Sequence, residues 1–204
     1  MRIHELSHRV YEGTPVFPGD SLTRIEGACS IGREGFSTSR ITVSSHAGTH
    51  VETPFHFFPE GKRLDELPVD AFFGNAYVFD VRGENQVKLK HLDFALFNKA
   101  EIALFFTGHS RLFGEAAYFE DWPFLSEELV ELLPPKLKIV GTDAPSVDKK
   151  NSCEIHKKLL EKGILVVENL TGLERIAEKN VKFYAIPLKI SAEAFSVRAF
   201  AIEE

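Results

Sequence analysis

Cysteine, tryptophan and methionine are nearly absent: the 204 residues include two Cys, one Trp and one Met. Cys29 and Cys153 stand alone with no CxxC spacing, so no secreted disulfide framework is available and a reduced compartment fits best. Long apolar runs are missing as well. Residues 102–106 and 164–167 are among the longest, far short of the ~20 residues a membrane-spanning helix needs. Positive charge is the minority, with 24 Lys and Arg against 30 Asp and Glu and a formal net charge of −6. That balance disfavours nucleic acid or an anionic membrane as the main partner. The N-terminal Met1-Arg2-Ile3-His4-Glu5 is polar where a signal peptide would be apolar, so the expected location is cytoplasmic. The sequon Asn169-Leu170-Thr171 then has no consequence.

What is present is an ordinary globular balance, 44% hydrophobic and 26% charged, with 18 Phe supplying most of the aromatic bulk. No repeat, linker or low-complexity run marks a boundary, so residues 1–204 are expected to form a single domain. The front third is turn-rich at residues 14–20, and residues 37–45 alternate at period two, predicting a strand running into His46. Further strands are expected over residues 77–81, 102–106, 137–140, 164–167, 183–190 and 196–202. Helices are expected over 126–133, which opens with Ser126 and early acids and stops at Pro134-Pro135, over 153–162, which ends at Gly163, and over 173–179. The pattern is α/β with a strand-rich N-terminal part.

Three of the eight histidines fall in one stretch, His46-Ala47-Gly48-Thr49-His50-Val51-Glu52-Thr53-Pro54-Phe55-His56. Even separations would place His46, His50, Glu52 and His56 on one face of a strand, although Gly48 and Pro54 interrupt it. Imidazole and carboxylate donors suit Zn²⁺, Mn²⁺ or Fe²⁺, and two His with an acid form a metal site with open positions. Elsewhere, His156 lies in the helical stretch with Leu159 and Leu160 at i+3 and i+4, pointing to an apolar face. Glu168 ends an apolar strand, where a desolvated carboxylate needs a partner. Asp143 is either a turn former or a partner orienting a histidine. His109 reads as pocket-lining, and His4, His8 and His91 read as ordinary polar positions.

The same stretch resembles the HxGTHxDxPxHF signature of the cyclase family of metal-dependent hydrolases, which includes bacterial kynurenine formamidases and isatin hydrolases. Thr14-Pro15-Val16-Phe17-Pro18-Gly19-Asp20 is similar to that family's TPxWPGD segment, and residues 140–148 resemble its GxDxPSxD segment. The resemblance implies a swivelling β/β/α fold and a homodimer or higher homo-oligomer. It also implies two metal ions per chain, Zn²⁺ with Mn²⁺ as the alternative. His46, His50 and Glu52 would hold one ion, His156 and Glu168 would help hold the other, Glu52 and Glu168 would be shared between them, and His56 would be the general acid/base. Two departures stand out. Glu52 replaces the usual Asp and is one methylene longer, leaving a single-metal variant open. Phe17 replaces a Trp beside the substrate and offers only an apolar face. The implied activity is hydrolysis of an amide-type C–N bond in a small molecule, an arylformamide such as N-formylkynurenine or a cyclic amide. Read without the resemblance, the residues also admit a mononuclear iron oxygenase built on His46, His50 and Glu52, or a non-catalytic metal-binding protein. The spare His56 argues against the binder.

Overall fold

The computed structural model describes residues 1–203. Thirteen strands alternate with short helices: β1 (Arg2–Glu5), β2 (Arg24–Cys29), β3 (Thr38–Thr42), β4 (His50–Glu52), β5 (Phe73–Asp80), β6 (Gln86–Val87), β7 (Ile102–Phe106), β8 (Phe124–Leu125), β9 (Ile139–Thr142), β10 (Leu165–Glu168), β11 (Asn180–Tyr184), β12 (Ala194–Ser196) and β13 (Phe200–Glu203). The helices are α1 (Ile31–Glu34), α2 (Phe94–Phe97), α3 (Glu127–Glu131) and α4 (Glu154–Glu161). No helix among the described residues is long and apolar enough to cross a membrane.

Nine strands form one sheet in the order β1-β13-β11-β5-β7-β9-β10-β4-β12. Strands β5, β7, β9 and β10 run parallel, and the flanking pairs are antiparallel. The sheet curls, and chain length shows why. Strand β12 lies at one edge and β13 next to the other, which in a flat sheet would be about 34 Å apart at ~4.8 Å per strand. The chain from Ser196 to Phe200 reaches at most about 14 Å, so the edges must fold toward each other. The Ser7–Leu170 bridge and the hydrogen bond from Thr171 N to Leu6 O at 3.0 Å join the end of β1 to the segment after β10.

Period-two alternation sorts the central strands into two cores. Ile102, Leu104 and Phe106 of β7 face one buried cluster with Val51, Leu165 and Val167. Ala103 and Phe105 face the other, with Val140, Val166 and the helical residues Leu129, Ile155, Leu159 and Leu160. Helices α3 and α4 therefore cover the second face. Ser126 caps α3, its hydroxyl accepting from Leu129 N at 3.2 Å.

Four expectations fail for identifiable reasons. The strand of residues 37–45 ends at Thr42, and His46 lies in the turn before β4. Residues 173–179 make one 3₁₀ turn, Leu173–Arg175, after left-handed Gly172 and before left-handed Glu178, so the chain leaves helical space at both ends. The strand of residues 183–190 starts earlier and stops at Tyr184, short of Pro187, which has no N–H for the ladder. The stretch 196–202 divides into β12 and β13, because the chain changes edges between them.

Candidate active site

Strand β4 lies between β10 and β12, with Glu168 opposite His50 and Ala194 opposite Glu52. Side chains two apart share a face, and directly paired antiparallel residues share it too. His50, Glu52 and Glu168 thus converge on the helix-covered side, while Val51 and Val167 enter the opposite core. Of the four residues of common parity, His50 and Glu52 alone lie on the strand. His46 arrives from the preceding turn, which Gly48 makes possible at φ +64°. His56 arrives from the 3₁₀ turn Pro54–His56. Gly61 closes the loop over that turn, and a Cβ there would stand 2.4 Å from the Pro54 carbonyl carbon. His156 sits in the first turn of α4.

Two groups of donors result, and Glu52 belongs to both. Its Oε1 lies 3.0 Å from His46 Nδ1 and 3.2 Å from His50 Nε2. Its Oε2 lies 3.1 Å from His156 Nε2, which is 3.0 Å from Glu168 Oε1. Glu168 Oε2 approaches His50 Nε2 at 3.7 Å, closing the ring. Glu52 Oε2 and His156 Nε2 are buried and adjacent, yet neither makes a hydrogen bond of acceptable geometry. Two orphaned polar atoms pointed at one centre fit ligands of a shared cation better than a proton-sharing pair.

The electrostatics agree. Glu52, Glu168, Asp148 and Glu193 surround the three imidazoles, and no Lys or Arg among the described residues pairs with any of them. Burial opposes charge on His46, but hydrogen bonds to Glu193 and Glu52 outweigh it and raise His46 to about 10. Burial likewise opposes charge on His156, and the Glu52 and Glu168 carboxylates overcome it, raising it well above the ordinary value. Glu52 is held low by His156 and the neighbouring imidazoles against the cost of its own burial. Protons on imidazole thus supply the positive charge the carboxylates demand. His56 goes the other way: burial dominates and lowers it, favouring the neutral form at pH 7. Its ring lies 4.6 Å from that of His46 and 6.2 Å from that of His156, beside both groups.

A cleft of about 230 Å³ opens over these residues, walled by Phe17, Phe57, Phe119, Pro145 and Cys153, with Asp20 also lining it. Phe17 stands at the rim, 42% exposed, edge-on to Phe119 at 5.9 Å and Trp122 at 6.1 Å. The nearby indole is committed elsewhere, donating to Asp148 O at 2.7 Å. Phe55 and Phe58 belong to the scaffold: Phe55 packs under the Arg63 guanidinium, and Phe58 against the second core.

The structure separates the outlying residues. Asp143 orients no histidine; it ties the turn after β7, accepting from Thr107 N and Oγ1 and from Gly108 N. His109 is buried against Tyr118 O, outside the cleft. His4 is buried against Glu203, and His91 pairs with Glu84. His8 departs from its expected role: it stacks 3.7 Å from Phe113 with Nε2 buried and unpartnered.

Three residues that hold the site escaped the sequence reading. Asp148 accepts from His156 Nδ1 at 2.7 Å and from Ile155 N and His156 N, fixing ring and helix together. Its place at the end of a motif and before the α4 histidine was the available signal. Asn169 is buried rather than a glycosylation acceptor; it donates to Gly48 O at 3.0 Å and accepts from the Tyr118 hydroxyl at 2.6 Å. Glu193, near His46 Nε2 at 3.4 Å, lies in a stretch without a motif.

The chain is similar to known proteins over most of its length. Residues 4–149 match the family model described as "Putative cyclase". A kynurenine formamidase of Bacillus cytotoxicus is 30% identical over 202 residues, covering 96% of this chain and 94% of that protein. One from Bacillus thuringiensis strain Al Hakam is 31% identical with the same coverage. The solved isatin hydrolase A of Labrenzia aggregata, bound to benzyl benzoate, superposes with a TM-score of 0.84 at 22% identity, covering 98% of this chain and 93% of that one. An isatin hydrolase bound to the product analogue thioisatinate gives 0.86 at 18% identity, covering 99% and 92%. At those identities the solved structures establish the fold.

Proposed function

The chain belongs to the cyclase family, and from that premise we propose that it is a metal-dependent hydrolase of an amide-type C–N bond in a small aromatic molecule. One observation carries the reading: Glu52 turns one oxygen to His46 and His50 and the other to His156. That is the arrangement of a carboxylate shared by two ions. His46, His50 and Glu52 would hold one, and Glu52, His156 and Glu168 the other. The nitrogen and oxygen donor set suits Zn²⁺, with Mn²⁺ as the alternative. The two carboxylate oxygens of Glu52 reach both groups, which favours two ions per chain over one.

When bound, such ions supply Lewis acidity, polarising a carbonyl and making water nucleophilic near neutral pH. The protein's own residues do the rest. His56, kept neutral by burial, takes the proton released as water adds to the carbonyl carbon. It then returns that proton to the departing nitrogen as the C–N bond breaks, yielding an amine and a carboxylate. Phe17, Phe57 and Phe119 offer apolar faces to an aryl ring. Kynurenine formamidase and isatin hydrolase relatives point to an arylformamide such as N-formylkynurenine, or a cyclic aryl amide, as substrate.

The whole chain acts as one catalytic unit, with donors contributed from residue 46 to residue 168. We place it in the cytoplasm, a reading that rests on the lack of any disulfide framework in the sequence, where Cys29 and Cys153 stand alone. A homodimer or higher oligomer is supported by the exposed β2–β3 hairpin, where Ile41 is 62% exposed near exposed Leu22, Ile31 and Phe36. A two-stranded hairpin is marginal alone in water, and a second copy would cover it.

The test is turnover of N-formyl aryl amines and cyclic aryl amides by protein loaded with Zn²⁺ or Mn²⁺. N-formyl amines should give formate and free amine, and cyclic amides a single ring-opened amino acid, equally with and without oxygen, and a chelator should abolish the reaction. An oxygen requirement would favour the iron oxygenase, and chelator-resistant hydrolysis would remove the metals from the mechanism.

A further inference from the structure

We infer that Glu193 is a positioning residue for His46, gripping its imidazole from behind and thereby setting the affinity of the outer metal position, the one His46, His50 and Glu52 would hold; the inference rests on the metal reading above. An imidazole that turns one nitrogen to a cation keeps its proton on the other, and that N–H needs an acceptor. His46 turns Nδ1 to Glu52 and His50, at 3.0 and 3.2 Å. Its Nε2 faces Glu193 Oε1 at 3.4 Å. The other two histidines are built alike with the nitrogens exchanged. His156 turns Nε2 inward and gives Nδ1 to Asp148 at 2.7 Å, while His50 gives Nδ1 to Gly48 O at 3.0 Å. Each imidazole of the centre therefore has its own acceptor behind it, and for His46 that acceptor is a carboxylate.

Glu193 is itself held. The Ser45 hydroxyl donates to its Oε1 at 2.5 Å. Its backbone carbonyl accepts from Thr53 N and Thr53 Oγ1, both at 2.9 Å, anchoring the start of β12 beside Glu52. Fold and function thus use different atoms of one residue. The main chain pins β12 to β4, and the side chain is free to act on His46, with 30% of its surface exposed. A carboxylate behind a ligand histidine fixes its tautomer and ring plane and raises its basicity. Removing it should weaken one metal position and spare the other.

The experiment is competition for Zn²⁺ between a chromophoric chelator and the full-length protein, native, Glu193→Ala and Glu193→Gln, with melting of each metal-free form. Glu193→Ala should lower the affinity of one of two sites by ~10–100-fold. Glu193→Gln, which keeps an acceptor oxygen, should recover part of that loss, and the metal-free melting temperatures should agree. Substituting Co²⁺ should show an altered visible spectrum for the affected ion alone. Unchanged affinity in Glu193→Ala would overturn the inference. So would a loss at both sites with a lowered metal-free melting temperature, or a Gln variant no better than Ala. Native protein that takes up no Zn²⁺ would instead defeat the metal reading itself.

Discussion

The two halves of the centre share Glu52 but are built differently. The inner half, His156 and Glu168, rests on regular structure: Glu168 ends β10 and His156 lies in the first turn of α4. Behind it stands buried Asp148, filled by donors from Ser152 Oγ, Ile155 N, His156 N and His156 Nδ1. In the outer half, His46 sits in a turn that depends on left-handed Gly48, and its support is the partly exposed Glu193. The inner half is over-determined by the fold; the outer half has His50 on buried β4 but depends on a turn and a few side chains for His46. Ion exchange should therefore occur first at the outer position, with the inner one retained.

The largest effect that would erase this difference is loss of the shared ligand. Glu52→Ala should reduce metal content below one ion per chain and abolish turnover; unchanged stoichiometry by elemental mass spectrometry would show that Glu52 is no ligand. Next, His56→Ala should keep both ions and lose ~10²–10⁴-fold in turnover, the range of a general acid/base. Full activity would remove His56 from the chemistry. Asp148→Asn should weaken the inner position ~10–100-fold. It should also cost about 1–3 kcal/mol in urea unfolding, because an amide cannot accept from all the N–H groups that now meet the carboxylate. An outer-site loss in that variant would break the assignment of halves.

The smallest effect concerns acid. Burial lowers His8 to about 4 from 6.5, so between these values the unfolded chain binds more protons than the folded one. The stability this group protects is present above pH 6.5 and is lost as pH falls toward 4. His8 N donates to Thr49 Oγ1 beside His50, which ties this segment to the outer half. In metal-free protein, His8→Phe should flatten the fall in stability across that window while keeping the stack on Phe113. An unchanged slope would show that His8 does not contribute.

Part of the candidate site was legible because His46, His50, Glu52 and His56 fall in eleven residues, and the apolar run 102–106 became β7 without a shifted boundary. The support was harder to read. Asp143 and Asp148 are both acids in one motif, and only the tertiary position of α4 decides which meets a histidine. Glu193 reaches His46 from a segment placed by β12 pairing with β4, a relation that local pattern does not encode. The 173–179 stretch has helical spacing, but left-handed Gly172 and Glu178 and the burial of Leu173 and Ile176 limit it to one turn.

The central claim is that this fold assembles two metal positions around one shared carboxylate. Metal content per chain, measured by elemental mass spectrometry on protein loaded with Zn²⁺ and freed of excess, tests it most directly. The account predicts two ions per native chain, with one leaving first under a mild chelator. A single ion that leaves in one step, or none, would contradict it.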